Sequence, residues 1–327
     1  MRTAVLGHPD GLTTVDRVDG TDPRVEHHLE DRRILSLATA DRRLFVGTFD
    51  GGLLRRSGTD GFERVGRDEI DADRITAVAV SPHDPEVVYA GTEPSRLYRS
   101  DDGGDSWEEP STLTEVPSAS SWSFPPRPDT HHVRWVEVDP SDPDRLLVGI
   151  EAGALLLSED GGTTWIDRPR GSRVDNHTLA THPDAPGLAY SAAGDGFAES
   201  VDGGRGWDHP QDGLEHRYLW GLAVAPDEPE AVTVSAARGA SAAHREGRAY
   251  CYRRPDRGAR WVRLDDPVVS PEEGCYRAVF ARAGEDLYAA TDRGLARSSD
   301  GGATWDRIEA ATPDGPIATL TVQSTTR

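Results

Sequence analysis

Five eight-residue segments of this chain share one turn grammar, and a repeat of that kind limits the possible folds more than any other feature. They are residues 100–107 (SDDGGDSW), 158–165 (SEDGGTTW), 200–207 (SVDGGRGW), 254–261 (RPDRGARW) and 298–305 (SSDGGATW). A shorter sixth copy occupies 57–62, with Phe62 in the place of the tryptophan. In a tight strand-to-strand turn an Asp carboxylate accepts backbone N–H groups, and paired glycines supply the positive φ that other residues resist. The terminal aromatic ring then packs back on the sheet. The aromatic positions 62, 107, 165, 207, 261 and 305 are separated by 45, 58, 42, 54 and 44 residues, which suits units of four short strands with variable loops. Ahead of the turns come paired strand signals, such as 75–80 (ITAVAV) with 87–91 (VVYAG) and 133–138 (VRWVEV) with 146–149 (LLVG). The Pro-rich runs SPHDPE and DPSDPD between them bar a helix.

The chain therefore reads as all-β, a single seven-bladed β-propeller over residues 1–327. Each blade runs through strands a to d from the inside out, with the repeated turn between c and d. The seventh blade is expected to be shared by the two ends. Residues 3–29 resemble strands b to d with no strand a ahead of them, and 317–322 (IATLTV) form a lone strand a. Their pairing would close the ring and leave no open edge.

Charge sets the expected partners. Asp and Glu number 57 against 36 basic residues, all of them Arg, for a formal charge of −21. Such a surface repels phosphate backbones and anionic membranes, so neither nucleic acid nor a membrane is an expected partner. Dense carboxylates suit a salt-loaded solvent, where repulsion is screened within about 3 Å at 1 M salt, and the composition resembles that of haloarchaeal proteins. No apolar run approaches the roughly 18 residues that span a bilayer. The opening residues carry too short an apolar run for an export signal, which predicts a cytoplasmic protein. Cys251 and Cys275 do not make a disulfide framework and read as free thiols. A monomer is the expected state.

In a propeller the b–c loops and the d–a connections gather on one face, and His, Arg and acidic residues concentrate there. Glu151 and Asp195 on b–c loops, with Asp175 and His177 at the start of an inner strand, are the catalytic candidates. Two carboxyls can divide acid and base roles while the imidazole orients the substrate. Arg74, Arg134 and Arg277 can clamp a carboxylate through paired hydrogen bonds. His131, His216, Tyr218 and Trp220 join them as substrate-binding candidates, as does Trp122 on an insertion at 108–130 that reads as an ordered lid. A second insertion, 238–248 (RGASAAHREGR), reads as an extended b–c loop. A multi-histidine site of His132, His177, His216 and His244 would suit Zn²⁺ or Mn²⁺ with an open position for water, and Glu151 or Asp175 as base. Strand alternation allows only one of His131 and His132 to face the channel.

The repeated segments resemble the BNR, or Asp-box, superfamily. It includes sialidases, xyloglucan-hydrolysing glycosidases, sortilin-type receptors and photosystem II assembly factors. The runs WSFPPRPDTHHVRW, DNHTLATHP and AAGDGFAESVDGG are similar to prokaryotic single-domain propellers classed as glycosyl hydrolases. The resemblance implies a hydrolase of glycosidase type, rather than a lyase, acting on a glycan or an anionic small molecule. The chain departs from sialidases, which have six blades and a Phe-Arg-Ile-Pro motif; the nearest string here is 124–128 (FPPRP). The xyloglucan enzymes set two propellers around a cleft, and this chain predicts one. Two other functions fit the sequence: a metal-dependent hydrolase or lyase on the histidine set, and a non-catalytic protein-binding scaffold like the assembly factors.

Overall fold

The computed structural model describes every residue except Thr21, Thr59 and 325–327. Parts of the short turn copy at 57–62 and of the N-terminal range 3–29 thus lie outside the described residues. The fold is an all-β, seven-bladed β-propeller of antiparallel sheets with three or four strands each. The chain divides into two compact units, Met1–Ile34 with Pro210–Arg327, and Leu35–His209.

In the first unit, strands Thr319–Ser324, Arg2–His8, Gly11–Asp16 and Arg24–His28 lie side by side in that order. Leu6 stands opposite Leu320 on one side and Thr13 on the other. The C-terminal strand starts two residues later than the apolar pattern suggested, because Ile317 is buried in the core ahead of it. Leu6, Trp220, Tyr288 and Leu320 pack in one core cluster. The segment 238–248, read from sequence as an extended loop, instead contains a short helix, Ala240–His244. Its Ala-rich run has high helix propensity, and Ala243 docks on Ala237 and Ala249 of the flanking strands. Cys251 and Cys275 are buried free thiols in this unit, and burial pushes the Cys275 thiol up to about 12.

In the second unit the inner strands are Ile34–Ala40, Ile75–Val80, Val133–Val138 and Asn176–Thr181. Outermost strands are brief; in two sheets they shrink to single bridges, Arg99 with Glu108 and Glu199 with Asp208. The repeated turn explains this economy, since side chains hold it closed. At 100–107 the Ser100 hydroxyl donates to Asp102 Oδ1 at 2.8 Å and accepts the Gly104 N–H at 2.8 Å. Asp102 accepts the Ser106 N–H at 2.9 Å and its hydroxyl at 2.6 Å, and the Trp107 indole N–H donates to the Gly104 carbonyl at 3.1 Å. Gly103 and Gly104 take φ of +70° and +92°. The Ser-to-Asp and Gly-to-Ser bonds recur from Ser158, Ser200 and Ser298. The copy at 254–261 places Arg254 in the serine position, buried, with its guanidinium 5.4 Å from the Trp261 ring.

The insertion at 108–130 is strapped to its sheet through two 3-10 turns, Leu113–Glu115 and Pro117–Ser121. Leu113 and Trp122 enter the core. Ser118 donates its N–H and hydroxyl to Asp167 at 2.7 and 2.6 Å, and the Trp122 indole N–H reaches Ser118 Oγ at 2.9 Å. Among the described residues no helix is long and apolar enough to cross a membrane.

Candidate active site

Three inner strands of the second unit begin with a register shift, between Ile75 and Ala77, between Val133 and Trp135, and between Asn176 and Thr178. A bulge adds one residue to a strand and re-aims its side chain. Two of the added residues are Arg134 and His177, and both turn toward Glu151. Glu151 sits in the hairpin joining Leu146–Ile150 to Ala154–Ser158. In the next sheet along the chain, the hairpin joining Ala189–Ala193 to Gly196–Ser200 presents Gly194 and Asp195.

Glu151, Asp175 and His177 form the centre, each with a donor atom within 4.8 Å of the other two. Glu151 Oε2 accepts from His132 Nε2 at 3.0 Å and lies 3.6 Å from Arg134 Nε. His177 is fully buried, and its Nε2 lies 3.9 Å from Glu151 Oε1 and 3.7 Å from Asp175 Oδ1. Asp175 Oδ1 also accepts the Ala152 N–H at 2.8 Å. Ala152 delivers that N–H from a left-handed conformation with φ +50°, a position sparsely used by residues other than glycine. Gly194 packs directly on the Asp175 carboxyl, and its N–H donates to the Asp175 carbonyl at 2.8 Å.

These surroundings drive the two carboxyls apart. Burial pushes the Glu151 proton affinity up, but the His132 hydrogen bond and the positive potential of His132, His177 and Arg134 outweigh it and bring the pKa down to about 2. At Asp175 burial comes first as well. The neighbouring Glu151 and Asp195 carboxylates add to it, and together they prevail over His177 and the Ala152 N–H, leaving the pKa above its ordinary 3.8. Asp175 keeps 27% of its side-chain surface and Glu151 keeps 12%, so the carboxyl with the raised pKa is the more accessible one.

Behind the centre lies an anchor built on Glu93, which sequence reasoning did not name among the site residues, although it named Arg74. Glu93 is buried and accepts from Arg127 Nε at 2.8 Å and Nη2 at 2.5 Å, and from Arg74 Nη1 at 2.5 Å. Phe49 stacks on the Arg74 guanidinium at 4.0 Å, and Arg127 lies over Phe124 at 4.7 Å. His132 stands between the two carboxylates, its Nδ1 4.0 Å from Glu93 and its Nε2 on Glu151, with Phe124 edge-on at 4.6 Å. The Glu93 pKa is lowered; burial opposes this, but the Arg127 and Arg74 contacts win.

The structure thus brings together Glu151, Asp175, His177, His132 and Arg134. Asp195 flanks them on its loop, 3.9 Å from Arg173. Arg74 is engaged by Glu93 rather than held open for a ligand. Trp122 is a core residue with its indole N–H satisfied inside the insertion. His131 packs on Trp122 at 5.5 Å and accepts the Ser95 N–H at 3.3 Å. In the other unit His216 shares a 2.6 Å hydrogen bond with the Tyr252 hydroxyl, and His244 a 2.8 Å one with Tyr218. Trp220 lies between His244, at 4.6 Å, and the Arg277 guanidinium, at 4.3 Å. Of the four histidines read as metal ligands, only His177 belongs to the donor group gathered around Glu151 and Asp175. A metal would be held there by two carboxylates and one imidazole.

No family model matches the chain. It is 25% identical over 227 residues to the xyloglucanase Xgh74A of Acetivibrio thermocellus, a match covering 60% of this chain and 26% of that protein. The matched part thus spans about a quarter of the length of its curated relative. Among solved structures, the GH74 enzyme of Niastella koreensis superposes with a TM-score of 0.67 at 16% identity, over 97% of this chain and 51% of that one. YCF48 from Cyanidioschyzon merolae superposes with a TM-score of 0.59 at 15% identity, over 86% of this chain and 87% of that one. At these identities the structural likenesses speak for the fold alone, and the fold they share with this chain is the seven-bladed β-propeller.

Proposed function

We propose that this chain is a glycoside hydrolase in which Asp175 is the proton donor and Glu151 the nucleophile, acting on a neutral glycan. The observation that carries the reading is the pair of neighbouring carboxyls whose environments push their pKa values in opposite directions, the arrangement that divides acid and base roles at one pH. The sequence likeness to a xyloglucanase supports the substrate class. Carboxyl oxygens within 4.8 Å lie near the roughly 5–5.5 Å of double-displacement enzymes and leave no room for the water of a single displacement. Asp175 gives its proton to the glycosidic oxygen while a Glu151 oxygen attacks the anomeric carbon. The carbon–oxygen bond to the leaving sugar breaks, and a glycosyl ester forms on Glu151. The Asp175 carboxylate then takes a proton from water, whose oxygen displaces Glu151 at the same carbon. His132 and Arg134 hold Glu151 ionised and oriented throughout.

The test is turnover of xyloglucan and β-glucan oligosaccharides by the full chain in concentrated KCl, with product configuration read by NMR. Products of retained configuration are expected, and Glu151→Gln or Asp175→Asn should each slow the reaction by about 10²–10⁴-fold. Inverted products, or rates untouched by either substitution, contradict the assignment.

The clustering of Glu151, Asp175 and His177 donors supports a second reading, a Zn²⁺- or Mn²⁺-dependent hydrolase. Elemental analysis separates the two. Stoichiometric metal that is lost in His177→Ala favours the metal, and a metal-free active enzyme favours the carboxyl pair.

A further inference from the structure

The second unit contains a cavity of about 350 Å³ whose lining includes His131 but neither His132 nor Glu151. One wall is the hairpin with Ser95 and Arg96; the other is the insertion, through Glu109, Thr112 and Thr114, and His131 completes the lining. The cavity meets the lower end of the size range of small-ligand pockets, about 300–1,000 Å³. Its wall holds two unsatisfied groups. Ser95 is 1% exposed, and its Oγ has no hydrogen-bond partner among the described residues; the same is true of the buried Glu109 Oε1. Buried polar groups seldom stay unpaired without cause.

The lining also selects by charge. Arg96 Nη1 stands 3.6 Å from Asp71 and 3.8 Å from Glu109, so a guanidinium already occupies the place a cation would take. The two carboxylates in turn disfavour an anion. His131 accepts the Ser95 N–H through Nδ1, which leaves Nε2 to carry the proton and donate. Burial, with His132 nearby, lowers the His131 pKa. Asp71 is exposed, so solvent screens its charge, and the rest of the wall sets one guanidinium against one carboxylate beside hydroxyl and imidazole groups.

We propose that this cavity binds an uncharged polyhydroxylated ligand of one to two sugar rings or a smaller polyol, held by Ser95, Glu109, Thr112 and His131. The site is separate from the Glu151 centre and does not depend on the hydrolase reading. The full chain is titrated calorimetrically with cellobiose, glucose and glycerol. Saturable binding is expected, with a preference for cellobiose marking a glycan and a preference for glycerol marking a free polyol. Thr114→Trp places a ring at an exposed position of the wall and should abolish binding with an unchanged melting temperature. Ser95→Ala should weaken binding by about three- to tenfold through one lost hydrogen bond, and Glu151→Gln should leave it unchanged. The proposal is overturned if none of the three probes binds. It is equally overturned if binding is lost in Glu151→Gln but survives Thr114→Trp and Ser95→Ala.

Discussion

At Gly194 an added Cβ would collide with Asp175 Oδ2 and come within 2.8 Å of its Cγ, so the carboxyl would have to move. A displacement of about 1 Å costs on the order of 10²-fold in rate. Gly194→Ala should therefore depress kcat/KM by that factor with little change in melting temperature; an unchanged rate would show that the Asp175 position does not matter. The pair also has opposite linkage to pH. Glu151 falls from its ordinary 4.5 to about 2 in the folded chain, so its contribution is complete above 4.5 and is lost as pH falls toward 2, about 3 kcal/mol in all. Asp175, with its pKa raised, contributes in the other direction, and its share fades as pH rises above 3.8. The stability advantage of the wild type over Glu151→Gln should shrink between pH 4.5 and 2 in denaturant titrations, and a constant advantage would refute the coupling. Glu151, Asp175 and His177 could be named as candidates from blade topology, because strand order fixes where loops gather. The Glu93 anchor could not, since its arginine partners lie 19 and 34 residues away and no local pattern links them. Trp122 was misread for a related reason: an aromatic residue in an insertion looks exposed until the fold supplies the core it enters.

The repeated turn is the element that the sequence specified most completely. Each Ser and Asp closes bonds within five or six residues, so the motif carries its own geometry. The Asp102 pKa falls to about 2, first through the Ser106 hydroxyl bond and then its N–H, and Asp160, Asp202 and Asp300 are lowered as well. Lowered carboxyls stabilise the fold above their ordinary pKa of 3.8, and that contribution drains away as pH falls toward 2. Asp300→Ala should cost about 1–2 kcal/mol at pH 7 through its lost hydrogen bonds, and progressively less as the pH falls below 3.8, as followed by thermal melts across pH. An equal cost at both ends would mean that the turn is held by packing alone. Bulges escaped the sequence reading, since a period of two cannot register one added residue. That is why the aim of Arg134 and His177 came only from the structure.

For the whole molecule the governing quantity is the formal charge of −21. Self-repulsion on that scale opposes the compact state, and raising salt from 0.15 to 1 M shortens the screening length from about 8 to about 3 Å. The melting temperature should rise across that interval; a flat or falling curve would show that local arginine pairs already neutralise the surface. The repeat spacing made the sheets countable from sequence. The proposed chemistry rests instead on two residues 24 positions apart, Glu151 and Asp175, and on which of them holds the proton. Hydrolysis of dinitrophenyl and methylphenyl cellobiosides by wild type and Asp175→Asn tests that directly, because a leaving group that needs no proton does not need the acid. The account predicts that Asp175→Asn loses about 10²–10⁴-fold on the methylphenyl substrate and far less on the dinitrophenyl one. Equal losses on both substrates, or no cleavage of either by the wild type, would contradict it.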